Sequence, residues 1–207
     1  MTLPNILTCV RVLLIPVFMV LAYQNNMPCD IAALIVYVVA CLTDYVDGYL
    51  ARKNNQVTNF GKFMDPVADK FMVIGTLMAL LFRMVRPDIY GLPYDNLFTV
   101  LFFVAVVVII FRELAITSLR LVLVNSTGTV VAAKMLGKIK TVSQIACICM
   151  LMIEPLVDAL ITKLAGDWFA AGVYPVSLAL VAVMTVFTLW SGLDYIKGAW
   201  GSISTDW

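Results

Sequence analysis

Residues 44–70 read DYVDGYLARKNNQVTNFGKFMDPVADK. Four aspartates, Asp44, Asp47, Asp65 and Asp69, stand here with Gly48, Gly61 and Arg52, between segments otherwise apolar enough for a membrane. An unpartnered acid near the middle of a bilayer costs roughly 3 kcal/mol or more. Burying an ionised carboxylate without a partner is costlier still. Four acids in so short a stretch therefore demand a compensating partner, and the rest of the chain shows which.

The surroundings are those of a membrane protein. Of 207 residues, 62% are hydrophobic and 13% charged, and the mean hydropathy is +0.97. A soluble domain is nearer about half apolar and about a quarter charged. A bilayer-spanning helix takes about 20 apolar residues, so this length allows about six spans with short loops. The expectation is an all-α integral membrane protein, one domain over residues 1–207 with no separate soluble part.

Two absences in the composition narrow the chemistry. The chain has no histidine, which excludes His-based triads, His proton relays and His metal sites. Cys9, Cys41, Cys147 and Cys149 lie inside apolar runs and Cys29 beside a loop, with no spacing of a disulfide framework. They read as small packing residues. A net charge of +1 and the lack of a basic tail point to no nucleic-acid partner. The run after Ile6 leads to no cleavage site and reads as the first span.

Working outward from the acidic stretch, the spans fall at about 6–23, 31–50, 63–82, 97–124, 136–161 and 168–196. QNNMPCD, RKNNQVTNF, RMVRPDIYGLPYDN and NSTGT read as breaks between them. With the N-terminus inside, Arg11, Arg52, Lys53, Lys62, Lys70, Arg112, Arg120, Lys134, Lys138, Lys140 and Lys197 lie on the cytosolic side. Only Arg83, Arg86 and Lys163 lie outside. The excess of inside cations predicts that both termini are cytosolic.

That orientation gives the acids a depth. Counting about 1.5 Å per residue from Asp30, Asp44 lies about 21 Å and Asp47 about 25 Å along the second span. In a hydrocarbon core about 30 Å thick, both sit in the cytosolic half. Asp65 and Asp69 enter from the same side. The 44/47 pair is spaced i,i+3 and the 65/69 pair i,i+4, so each pair shares a helix face. Two antiparallel helices then present four carboxylates to one another, as helix bundles do in building metal sites. Oxygen-only ligands suit a hard divalent ion such as Mg2+ or Mn2+.

Other residues add a ligand beside the metal. Gly48, Gly61 and Ala51 allow close approach of a bulky group, and Arg52 is suited to a phosphate. Taken singly, Gly48 also reads as a helix-packing glycine and Arg52 as an interface cation. Glu154 and Asp158 have no matched basic partner in the sequence and read as structural. Trp168, Tyr174, Trp190, Tyr195, Trp200 and Trp207 fall near span ends and suit interfacial anchoring.

The spacing Asp44-x2-Asp47-Gly48-x2-Ala51-Arg52-x8-Gly61-x3-Asp65-x3-Asp69 resembles the motif of the CDP-alcohol phosphotransferase family, with every fixed position present. PNILTCVR, FRELAITSLR and MLGKIKT are similar to the bacterial branch whose acceptor is sn-glycerol 3-phosphate. The resemblance implies a metal-dependent enzyme of the bacterial inner membrane, commonly a homodimer, with its site facing the cytosol. Such an enzyme moves the phosphatidyl group of the membrane lipid CDP-diacylglycerol to an alcohol and releases CMP.

By the same resemblance, Asp44, Asp47 and Asp65 hold metal. Asp69 acts as general base and touches metal as well. Gly48, Ala51, Arg52 and Gly61 line the CDP-diacylglycerol pocket, completed by Asn5 and Thr8. The glycerol 3-phosphate site then falls at Arg112, Arg120, Lys138 and Lys140. Each of these cations also satisfies the inside-positive bias, and Arg112 beside Glu113 leaves a plain charged turn open. Lys138 and Lys140, two apart, are not expected to face one pocket from a regular helix.

Two alternatives stay open. A sibling enzyme would take inositol phosphate, serine or phosphatidylglycerol as acceptor. A divalent-cation transporter would also place acids in spans. Clustering of the acids at one side, the lack of an inverted repeat, and the glycines with Arg52 weigh against transport.

Overall fold

A computed structural model describes residues 3–24, 26–53, 59–85, 96–127, 135–165 and 174–203. Six helices account for nearly all of these: α1 (Leu3–Tyr23), α2 (Met27–Lys53), α3 (Asn59–Val85), α4 (Asn96–Thr127), α5 (Met135–Ala165) and α6 (Pro175–Ile203). No strand occurs among the described residues. Five of the helices are long and apolar enough to cross a membrane. The other, α3, is 27 residues long but carries Asp65, Asp69 and Lys70 in its first half and falls short of that apolarity. The chain is an all-α integral membrane protein.

Most helices overrun the predicted spans because capping and loop residues join them, whereas α6 begins at Pro175 rather than near residue 168. The QNNMPCD turn is the clearest case. Asn26 Oδ1 accepts the backbone N–H of Cys29 at 2.9 Å, capping α2 so that the helix starts at Met27. At the other end α2 runs on to Lys53, through the start of the expected polar loop.

Helices α1, α2 and α3 pack together, as do α4, α5 and α6, and contacts of α3 with α4 and of α2 and α3 with α5 join the groups. Each helix turns one stripe inward. Ile15, Phe18 and Ala22 of α1 meet Ala33, Tyr37 and Ala40 of α2, while Phe98, Phe102, Ala105 and Ile109 of α4 and Ile148, Leu151 and Met152 of α5 join the same core with Val181 and Met184 of α6 between them. Outward faces stay apolar, with Leu13 and Phe111 largely exposed, as a lipid-facing surface requires. At Gly75 a Cβ would lie 2.9 Å from Ile15 Cγ2, so only glycine permits this approach of α1 and α3.

The inward stripes change character along their length, and this positions the site. On α1 the stripe runs Asn5, Thr8, Arg11 before turning apolar at Ile15. On α6 it runs Val181 and Met184, then Thr188, Ser191 and Tyr195. On α5 Lys140, Ser143 and Gln144 precede Cys147 and Ile148. The helices alternate in direction, so these polar stretches gather at one end of the bundle with Asp44, Asp47 and the start of α3.

The opposite end is tied by different contacts. Arg83 donates to both carboxylate oxygens of Asp30, at 2.6 and 2.7 Å, clamping the end of α3 to the start of α2. Glu154 is not solitary: it accepts the N–H groups of Val176 and Ser177 at 3.3 and 2.9 Å and the Ser177 hydroxyl at 2.5 Å. A carboxylate on α5 thus satisfies the free amides that open α6. Tyr174 is buried and its hydroxyl donates to Asp158 at 3.5 Å, so it is no surface anchor.

Candidate active site

The acids converge on a residue of the first helix. Arg11 is fully buried, and its Nη1 lies 2.6 Å from Asp44 Oδ1 and 3.0 Å from Asp69 Oδ1. Its Nη2 pairs with Asp47 Oδ2. One turn earlier on the same face, Thr8 Oγ1 donates to Asp65 Oδ1 at 2.9 Å. Helix α1 therefore threads between the two acid-bearing helices and bonds all four aspartates from one stripe. Asp47 is buried, Asp44 and Asp69 half-buried, and Asp65 exposed.

One guanidinium does not neutralise four carboxylates. The excess negative charge and the oxygen-only donors suit a hard divalent cation in kind. In arrangement the carboxylates turn toward Arg11. Among the described residues no three acidic or sulfur-bearing side chains are arranged to hold a metal ion.

Of the other donor-pocket candidates, Asn5 is buried beside Thr8 on α1, Gly61 is buried at the start of α3, and Gly48 lies on α2 next to Asp47. Ala51 and Arg52 belong to α2, but their side chains lie outside the described residues.

A second, basic cluster adjoins the first. A cavity of about 350 Å³ is lined by Lys70, Arg112, Arg120, Lys138 and Lys140, with Asp69, Glu113 and Asp194 among its acids. Cations outnumber carboxylates there. Buried Glu113 anchors three of them: Lys140 Nζ pairs with it, and Lys70 Nζ and Arg112 Nη1 lie 3.7 and 3.6 Å away. Arg112 also donates to Ser191 Oγ at 2.7 Å, and Arg120 lies over the Tyr195 ring, 5.6 Å from its centroid.

Lys138 and Lys140 both border this cavity, against the expectation from their spacing. The cavity wraps the first turns of α5, so buried Lys140 enters from within while exposed Lys138 reaches the rim on its long stem. Tyr195 is also corrected: it is buried under Arg120 rather than anchored at the interface. Trp190 keeps an exposed position, and Trp168 and Trp207 lie outside the described residues, as does the Trp200 side chain.

Sequence reasoning missed Arg11, Glu113, Lys70 and the α6 residues as parts of these clusters. A signal existed for Arg11, since Asn5, Thr8 and Arg11 recur three apart on one helix face. None existed for Glu113, whose partner Lys140 stands on another helix.

The clusters meet at Asp69, which both accepts from Arg11 and lines the basic cavity. A helical membrane bundle whose acidic cluster adjoins a basic cavity is the setting of a membrane-embedded enzyme, and the comparison with known proteins gives its class. Residues 1–190 match the CDP-alcohol phosphatidyltransferase family model, and the chain belongs to that family.

Curated relatives agree over nearly the whole chain. The chain is 37% identical to the CDP-diacylglycerol–glycerol-3-phosphate 3-phosphatidyltransferase of Bacillus subtilis, over 98% of this chain and 97% of the relative. It is 33% identical to the protein of that name from Pseudomonas fluorescens, over 100% and 94%. A Shigella flexneri protein of the same name is 34% identical over 95% and 93%.

Proposed function

We propose that all six helices form one catalytic unit that transfers the phosphatidyl group of CDP-diacylglycerol to sn-glycerol 3-phosphate, giving phosphatidylglycerophosphate and CMP. The observation that carries this reading is the position of Asp69, shared between the acidic centre and the basic cavity. A transferase needs a donor site and an acceptor site that touch at the reacting atoms. The similarity to relatives named for this reaction supports the choice of substrates.

Asp44, Asp47, Asp65 and Asp69 would hold Mg2+ or Mn2+. When bound, the ion supplies charge neutralisation at the diphosphate of the donor and at the departing CMP phosphate. Asn5, Thr8, Gly48, Ala51, Arg52 and Gly61 surround the donor. Arg112, Arg120, Lys138 and Lys140 bind the acceptor phosphate, with Lys70 beside them, and Glu113 holds their side chains in place.

Asp69 takes the proton from the acceptor hydroxyl as that oxygen bonds to the phosphorus carrying the lipid. The bond from this phosphorus to the CMP oxygen breaks, and CMP departs with the electron pair. Arg11 keeps Asp69 oriented and shares the charge of the acidic centre.

The enzyme lies in the bacterial cytoplasmic membrane with both termini and the site facing the cytosol, which the distribution of lysine and arginine supports. It works as a homodimer, as the family resemblance implies. The test is CMP release by purified protein given CDP-diacylglycerol and a panel of acceptors. Release with glycerol 3-phosphate alone is expected. Release with inositol phosphate, serine or phosphatidylglycerol instead contradicts the acceptor, and no release with any acceptor contradicts the class.

A further inference from the structure

The last helix, α6, reaches both arginines of the basic cavity. Ser191 accepts from Arg112 Nη2 at 2.7 Å. At the next residue, Gly192, an added Cβ would lie 3.2 Å from Arg112 Cγ and 3.5 Å from its Nε, so the arginine lies flat against bare backbone. One turn on, the Tyr195 ring carries Arg120 at 5.6 Å.

Arg112 and Arg120 stand eight residues apart on α4, about 12 Å of helical rise. Their partners on α6, Ser191 and Tyr195, are four residues apart, about 6 Å. Both side chains line the same cavity of about 350 Å³, which offers one bound molecule both guanidinium groups.

We infer that Ser191, Gly192 and Tyr195 are positioning residues that fix Arg112 and Arg120 around the acceptor phosphate, giving α6 a part in acceptor binding. This rests on the assignment of the basic cavity to glycerol 3-phosphate. Ser191 holds the Arg112 fork by its hydroxyl, Gly192 leaves room for its stem, and the Tyr195 ring supports Arg120. The Tyr195 hydroxyl has no hydrogen-bond partner among the described residues, so the ring alone carries the effect.

The experiment measures KM for both substrates with purified variants in CDP-diacylglycerol micelles. Gly192→Ala pushes a flexible side chain rather than backbone. It is expected to raise KM for glycerol 3-phosphate on the order of tenfold while leaving KM for CDP-diacylglycerol unchanged. Ser191→Ala raises the acceptor KM about threefold to tenfold, and Ser191→Thr, which keeps the hydroxyl, restores it. Tyr195→Leu raises the acceptor KM, whereas Tyr195→Phe does not.

If Gly192→Ala does not fold, the Ser191 and Tyr195 series decides the matter alone. Equal rises in both KM values, or no rise in the acceptor KM, overturn the inference. Arg112→Ala separates the failures. If it raises the acceptor KM while the α6 variants are silent, only the role of α6 falls. If Arg112→Ala is itself silent, the pocket assignment falls and the inference with it.

Discussion

Arg11 Nη1 donates to Asp69 Oδ1 at 3.0 Å, joining the first helix to a residue that also lines the basic cavity. The same guanidinium reaches Asp44 and Asp47 on α2. A fully buried arginine with three carboxylate partners is at once a structural tie and the largest counter-charge in the acidic centre.

Removing that counter-charge leaves buried Asp47 facing half-buried Asp44 and Asp69. Arg11→Gln is expected to lose about 3–5 kcal/mol of stability, the typical cost of breaking a buried ion pair. A divalent ion then becomes the main source of positive charge there. Added Mg2+ or Mn2+ should therefore raise the melting temperature of Arg11→Gln more than that of the unaltered protein, as thermal denaturation in detergent would read. Equal shifts would contradict a shared charge balance between Arg11 and metal.

The Asp30–Arg83 clamp lies at the far end of the bundle and serves packing alone. Asp30→Asn leaves a buried guanidinium short of its counter-charge and is expected to cost about 3–5 kcal/mol. Replacing both residues by leucine restores most of that stability, because a well-packed apolar pair avoids the desolvation cost. Neither change alters KM for either substrate. Calorimetry and steady-state kinetics on the same preparations check both halves.

Arg112 contacts the cavity on one side and Ser191 on the other. Arg112→Ala should raise KM for glycerol 3-phosphate about tenfold to a hundredfold, the value of a lost charge-assisted bond. KM for CDP-diacylglycerol stays within the error of measurement. Matched rises in both would place Arg112 outside the acceptor pocket.

Lys140 is held in the cavity by Glu113. Glu113→Gln removes the carboxylate that also lies near Lys70 and Arg112, leaving three cations to repel one another. The acceptor KM is expected to become more sensitive to ionic strength than in the unaltered protein, since salt then screens an unbalanced cluster. KM measured across a salt series checks this.

The bundle and its acidic face were legible because helix period and hydropathy are local properties. Asp44 and Asp47 at i,i+3, and Asp65 and Asp69 at i,i+4, already marked shared faces. What the chain could not declare was partnership across helices. Arg11 looked like one more inside cation, although its spacing from Asn5 and Thr8 placed it on their face. Glu113 looked like a neighbour of Arg112, while its closest partner is Lys140 on α5. Tyr195 had the position of an interface aromatic, and only packing of α6 against α4 turned it under Arg120. The helix starts shifted for a simpler reason: Asn26 is a cap inside what reads as a turn.

The most direct test of the central claim is Asp69→Asn, which keeps the shape of the side chain and its ability to accept from Arg11 while removing the base. CMP release should fall by about a hundredfold or more, within the range that general base catalysis contributes. Binding of CDP-diacylglycerol, measured directly on the same protein, should stay near that of the unaltered enzyme. Substantial turnover by Asp69→Asn would contradict Asp69 as the proton acceptor between the two pockets.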